Sequence, residues 1–249
     1  MKKFITHLVK IAAVASLFTL AAIAQQTKAP TFDVTNYVMD VTLVPTERKI
    51  NATVDVTFVP LEDTRSVSFE LNGSLKVDSV TRIGSGMATT PAVQTKPAVR
   101  PTPKPAAVVG GQITFIQDQS AATALGPHVR IDLGENAIKG MPITLRFKYN
   151  GILDLPAGGP LLNKRLAYIG DNQGYLMYAA RWFPFHDYAA DPATSDISIS
   201  IPVGLTLTGF STAPVTTTGN KSRFVQSTPA LIGNFAYGKY AAKTLRIAD

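Results

Sequence analysis

The stretch "AARWFPFHDYAADPATSDISISIPVGL", residues 179–205, gathers Arg181, Trp182, Phe183, Pro184, His186 and Asp187, with Asp191 close behind. An imidazole beside a carboxylate can act as a general base, and two carboxylates can divide acid and base duties. A guanidinium carries five donors suited to pinning carbonyl groups or a carboxylate such as Asp187. The same crowding also suits a structural corner or a surface for a partner. As a hydrolase, the protein would work through His186 and Asp187. As turn-forming residues, Asp187 and Asp191 would simply satisfy their own loop.

Other catalytic patterns are weak. The chain has three histidines, and the two beyond the leader, His128 and His186, each lack a second histidine within five positions. A zinc site of the H-E-x-x-H kind is therefore absent, and both read as structural or surface histidines. The segment "GFSTA", Gly209–Ala213, superficially resembles a nucleophile elbow, but "PVTTTGN" follows it and cannot open the required helix, so Ser211 reads as a polar loop residue. The segment "GDNQG", Gly170–Gly174, lacks the lysine and helix of a phosphate loop and reads as a tight turn. No metal ligand set and no cofactor site is expected in this chain.

Residues 1–24 are set aside as a signal peptide. Lys2, Lys3 and Lys10 make a basic start, Ile11–Leu20 is apolar, and Ala22-Ile23-Ala24 is a cleavage pattern. The apolar run is shorter than the roughly 20 residues a membrane span needs. The expectation is export to the periplasm or medium, with no membrane span after signal cleavage. With no cysteine, disulfides, thiolate metal sites and a lipid-anchored cysteine are excluded. The formal net charge is +7; three of those charges lie in the leader, and Lys96, Arg100 and Lys104 lie in a proline-rich stretch, so the rest is nearly neutral. Nucleic-acid binding, which needs a clustered basic face, is not expected.

The elements that must position these residues are strands. In "KINATVDVTFVP", Ile50, Ala52, Val54, Val56 and Phe58 alternate with Asn51, Thr53, Asp55 and Thr57. The pattern repeats at Ile143, Leu145, Phe147 and Tyr149, and at Ile197, Ile199, Ile201 and Val203. Shorter candidates are 37–44, 67–71, 75–83, 113–117, 129–133, 205–210 and 235–240. Turn residues separate them, and no later segment keeps a helical period over three turns. The fold class is all-β: an antiparallel β-sandwich or saddle-shaped set of curved sheets, one domain over 25–249. Residues 89–111, with five prolines, read as an exposed loop inserted between 75–83 and 113–117.

Four segments, in order, resemble the N-terminal β-domain of the aminopeptidase N family of zinc metallopeptidases. "NYVMDVTLVPTERKINATVDVTF" is similar to its opening hairpin, and "LKVDSV" with "ITLRFKYNGIL" to its middle strands. "AARWFPFHDYAADPATSDISISIPVG" resembles the segment in which an Ala-Arg, an aromatic, a proline and a nearby aspartate precede a strand ending in "IP". "FVQSTPALIGNFAYGKY" resembles its closing strand. Together they span residues 31–240.

The resemblance implies a saddle-shaped, non-catalytic domain packed on a zinc domain whose G-x-M-E-N and H-E-x-x-H motifs lie C-terminal to it. Zinc is thus implied only for that catalytic domain, the partner expected in cis or in trans. The chain ends at Asp249, where that domain is expected, as a truncated reading frame or a free-standing relative would.

In the family, a loop before the Ala-Arg segment offers a polar residue and a glutamate that grips the substrate's α-amine. Gln173 matches the polar residue, but Tyr175 stands at the glutamate's place; Asp171 is the nearby carboxylate. Arg181, Trp182, Pro184 and Asp187 become a structural corner beside the peptide cleft. The rival readings are a free-standing cell-envelope module binding peptide or glycan, and the independent hydrolase.

Overall fold

The computed structural model describes residues 31–84, 109–118, 128–153, 165–186 and 191–241. Residues 1–24, read above as a signal peptide, most of the proline-rich stretch and Asp187 lie outside these residues.

The described residues form β1 (Phe32–Val44), β2 (Lys49–Pro60), β3 (Thr64–Glu70), β4 (Leu75–Ile83), β5 (Val109–Gln112), β6 (Thr114–Gln117), β7 (His128–Ala137), β8 (Ile143–Ile152), β9 (Ala167–Ile169), β10 (Gln173–Leu176), β11 (Ala193–Ser200), β12 (Thr206–Gly209), β13 (Thr216–Thr218), β14 (Lys221–Ala230) and β15 (Phe235–Gly238). Two 3-10 turns, Pro45–Glu47 and Tyr178–Ala180, are the only helical segments among them. The fold is all-β, as the alternation predicts.

The strands make three sheets. The large one runs β13-β14-β11-β1-β2-β8-β4-β5, a second runs β12-β15-β10-β9, and a third runs β3-β7-β6. The register of the large sheet follows its hydrophobic pattern. Val54 stands between Met39 and Phe147, and every second residue of β2 from Ile50 to Phe58 is buried. A slip of one residue would turn that whole set to solvent.

The opposite face of the sheet is polar. There Arg146 clamps Asp55 through two hydrogen bonds of 2.7 Å, and Arg223 clamps Asp196 in the same bidentate way.

The inner face of the large sheet is covered at one end by the three-stranded sheet, through Phe69 against Phe58 at 6.0 Å and Phe147 at 5.4 Å. At the other end the four-stranded sheet covers it, through Phe235 against Phe224 at 5.1 Å. One continuous core results. Burying each phenylalanine contributes about 1.5–3 kcal/mol.

Three expectations need correction. The pairing is not wholly antiparallel, since β1 and β11 run parallel from Asn36↔Thr194 to Thr42↔Ser200. A parallel pair needs a long crossover, and most of the domain lies between these two strands. Val203 is 90% exposed, because β11 ends at Ser200 and Pro202 has no N–H to continue the ladder. The last residues of the proline-rich stretch, Val109–Gly111, are not loop but part of β5, the edge strand beside β4.

Candidate functional site

The segment Ala179–His186 crosses the space between the three sheets. Ala179, Ala180, Arg181, Trp182, Phe183 and Phe185 are each at most 4% exposed. The carbonyls of an irregular backbone buried this deeply need donors, and neighbouring strands and the β3–β4 connection provide them for Ala180, Arg181, Trp182, Pro184 and Phe185. Asn72 donates from Nδ2 to the Ala180 carbonyl at 2.9 Å and from its backbone N–H to that of Arg181 at 2.8 Å. The Tyr149 hydroxyl on β8 donates to the Trp182 carbonyl at 2.8 Å, and the Tyr37 hydroxyl on β1 to the Pro184 carbonyl at 3.0 Å. Phe185 exchanges backbone hydrogen bonds of 2.7 and 2.8 Å with Glu70 at the end of β3. Pro184 brings no N–H that would need a partner.

The rings complete the join. Trp182 stands edge-on to Phe235 at 6.0 Å, and Phe183 edge-on to Tyr37 at 5.4 Å. Among the described residues the Trp182 Nε1–H has no hydrogen-bond partner.

Arg181 begins this turn in the left-handed conformation, φ 51°. Its Nε donates to Glu70 Oε2, and its guanidinium lies 5.4 Å from the centre of the Phe185 ring. The carboxylate that the guanidinium meets is thus Glu70. Asp187 lies outside the described residues. Trp182, Pro184 and Arg181 therefore form one structural corner that ties all three sheets together.

His186 lies where the corner exits. Its ring stacks on Phe32 at 3.8 Å, and Nδ1 lies 2.5 Å from Asp191 Oδ2. Asp191 also accepts from the Val34 N–H, 3.1 Å from each oxygen. A cavity of about 20 Å³, room for a single water, is lined here by Tyr37, Phe183, Phe185, His186, Asp191 and Ile232. Burial and the Asp191 charge push the Tyr37 phenol far up. This dyad pairs His186 with Asp191 and resembles a base held by its orienting carboxylate. Among the described residues no hydroxyl hydrogen-bonds His186.

The remaining candidates are equally plain. His128 is exposed, with Nδ1 3.3 Å from Ser68 Oγ. Ser211 Oγ bonds the Ala213 carbonyl and both polar backbone groups of Val225. Gly170–Asn172 is the turn between β9 and β10, where the Gly170 N–H bonds the Gln173 carbonyl at 3.2 Å.

On β10, Gln173 is exposed opposite Gly238, and Tyr175 lies between Tyr168 and Ala236. The Tyr175 hydroxyl donates to the Arg165 carbonyl at 3.1 Å, and the Arg165 guanidinium lies 5.3 Å from the centre of the Tyr168 ring. These two residues are on the four-stranded sheet, away from the corner's buried backbone.

Sequence reasoning missed Glu70, Asn72, Tyr37 and Tyr149. The signal available was a tyrosine at an inward position of two otherwise aliphatic or phenylalanine-bearing alternations. Among the described residues no group of three or more His, Asp or Glu could hold a metal ion, and no helix is long and apolar enough to cross a membrane.

The fold has solved counterparts. An M1 zinc metallopeptidase from Deinococcus radiodurans is similar over 84% of this chain and 42% of its own, at 17% identity and a TM-score of 0.60. A mutant of it bound to a Tyr-Ser-Ala substrate gives a TM-score of 0.61 at 17% identity, with 84% and 43% covered. Yeast LTA4 hydrolase in complex with bestatin gives 0.57 at 16% identity, with 88% and 32% covered. The chain thus spans less than half the length of these enzymes. No family model matches the sequence, and no curated protein matches it.

Proposed function

We propose that this chain is the non-catalytic N-terminal β-domain of an exported, aminopeptidase N-like zinc metallopeptidase, shaping the peptide cleft of that enzyme's zinc domain. The observation carrying this reading is the fold shared with M1 enzymes over 84% of the chain but only 42–43% of theirs. Among the described residues no group of three or more His, Asp or Glu could hold a metal ion, and in this reading the zinc is bound by the other domain. The corner's part is to hold β9–β10 and the strands around them rigid. Gln173 and Tyr175 on β10 face the peptide. With Tyr175 in place of a carboxylate, a free α-amine loses a charge-assisted anchor worth about 1.5–3 kcal/mol, and peptides without a free amine are penalised less.

The test is to sequence the DNA directly downstream of the Asp249 codon and to assay the 249-residue protein alone. An in-frame H-E-x-x-H, with no hydrolysis by the 249-residue chain above a chelator-treated blank, supports the proposal. A stop codon, together with failure of the purified chain to bind an M1-type zinc domain, overturns it, as does robust zinc-dependent cleavage by the chain alone.

A further inference from the structure

On its β12 side the four-stranded sheet ends in an unguarded edge, and the ladder fixes where the backbone groups of that edge point. The Met177 N–H donates to the Leu166 carbonyl at 3.0 Å and the Gly170 N–H to the Gln173 carbonyl at 3.2 Å. Backbone groups alternate along a strand, so residues 173, 175 and 177 turn theirs toward β9. Gly174 and Leu176 then turn theirs toward Tyr237 and Phe235 on β15, and Ala236 and Gly238 toward Thr208 and Thr206 on β12. The N–H and C=O of Leu207 and Gly209 are left directed away from the sheet. Among the described residues no strand pairs with that side of β12.

Natural sheets blunt such edges with a lysine, a proline within the strand, or a bulge. The β12–β15 ladder runs without a register shift, and no residue from Ile197 to Asn220 is charged. Other edges differ: β3 carries Arg65 and a register shift, and Lys221 and Arg223 stand opposite β13. Beyond the two ends of β12 lie apolar side chains open to solvent, Val203 at 90% and Phe210 at 57% exposure.

We propose that the β12 edge docks a second copy of this chain, the two β12 strands pairing antiparallel about a two-fold axis into one continuous sheet. Unpaired strand groups are matched by another strand, and this strand is complementary to itself. With Leu207 opposite the partner's Leu207, the two exchange both backbone hydrogen bonds, and Gly209 stands opposite the partner's Leu205. Thr206 and Thr208, both exposed, meet the partner's Thr208 and Thr206, a favourable cross-strand pair made twice. The antiparallel two-fold also sets Phe210 beside the partner's Val203 at each end, so that both exposed apolar groups are covered. A strand of unrelated sequence would need this same uncharged pattern with apolar ends, which a second copy carries by construction. Four strand residues a side fall short of the roughly 20–30 in a standard interface, so the pairing depends on concentration. This inference does not rest on the peptidase reading, because it uses only the edge of this sheet.

Sedimentation equilibrium of the full chain at rising concentration, with amide hydrogen exchange on the same samples, tests the pairing. The weight-average mass should climb from that of one chain toward that of two. Over the same range the Leu207 amide should gain protection, while the Thr208 amide, already bonded to β15, stays unchanged. Val203→Lys and Phe210→Asp lie at exposed positions where substitution leaves the fold intact. Each should lose the dimer, because each sets a charge against an apolar partner side chain. Mixed in equal parts, the two variants should recover a mixed dimer, in which the lysine of one chain meets the aspartate of the other. A monomer at every concentration would overturn the proposal. So would a dimer that leaves Leu207 exchange unchanged, one that survives both substitutions, or a mixture that recovers nothing. Protection of Leu207 in a monomer by an added uncharged peptide would also overturn it, and would assign the edge to a peptide strand instead.

Discussion

Tyr149 shows how single atoms hold the corner. Its ring belongs to the inward face of β8, where an aliphatic residue would pack as well, but its hydroxyl is committed to the buried Trp182 carbonyl at 2.8 Å. Tyr149→Phe keeps the ring and leaves that carbonyl without its donor, a loss of about 1–3 kcal/mol. Tyr175→Phe removes a hydroxyl from an exposed bond to the Arg165 carbonyl, where water can substitute, and should change stability by less than about 0.5 kcal/mol. Denaturant midpoints of the two variants against the wild type make the comparison. Equal midpoints would mean that the corner draws nothing from its tyrosine donors.

At the scale of elements, the β9–β10 hairpin is placed by what its glycines lack. A Cβ on Gly174 would come within 2.4 Å of the Tyr237 ring on β15 and 2.6 Å of the Tyr168 carbonyl. Neither can retreat cheaply, because Tyr237 is itself buried and bonded to the Gly170 carbonyl at 2.8 Å. Gly174→Ala should therefore cost about 1–3 kcal/mol by overpacking. Gly134→Ala, which meets no atom but has φ 79°, should cost only its backbone strain. Urea unfolding of both variants is the measurement, and a Gly174→Ala protein as stable as wild type would show that β10 sits more loosely on β15 than the structure has it.

The same hairpin explains where the sequence could be read and where it could not. β2 and β8 declare themselves, because one face is apolar and the other polar over four or more pairs. β10 carries its close packing in a glycine, which leaves no hydrophobic signature. β14 hides for another reason. Its inward residues include Ser222 and Gln226, and Gln226 is buried because its Nε2 donates to the carbonyls of Ala193 and Ala230. The corner was legible as a crowd of aromatics, but its donors were not, since Asn72, Tyr37 and Tyr149 are remote in sequence and only the topology brings them to it. His186 attracted a catalytic reading through its neighbour Asp187; among the described residues its carboxylate contact is Asp191, which also holds the first strand.

Across the whole molecule, three buried phenols act as bolts. Tyr37 and Tyr149 join the large sheet to the corner, and Tyr237 ties β15 to the β9–β10 turn within the four-stranded sheet. Burial is the main cause raising all three, and Tyr237 is pushed up to about 12. In the unfolded chain the same phenols ionise near pH 10. Between these values the unfolded state gives up protons that the folded state keeps, so stability declines with rising pH. It is fully present below about pH 10 and is lost as pH climbs toward the folded values. For Tyr237 alone the two-unit interval corresponds to roughly 2–3 kcal/mol. The measurement is denaturant unfolding at successive pH values from 8 upward, for wild type and Tyr237→Phe. The variant should begin lower, having lost a hydrogen bond, and then decline with a shallower slope. Parallel declines would assign the alkaline loss to groups other than this bolt, and would separate the four-stranded sheet's anchoring from the proton linkage that the buried phenol implies.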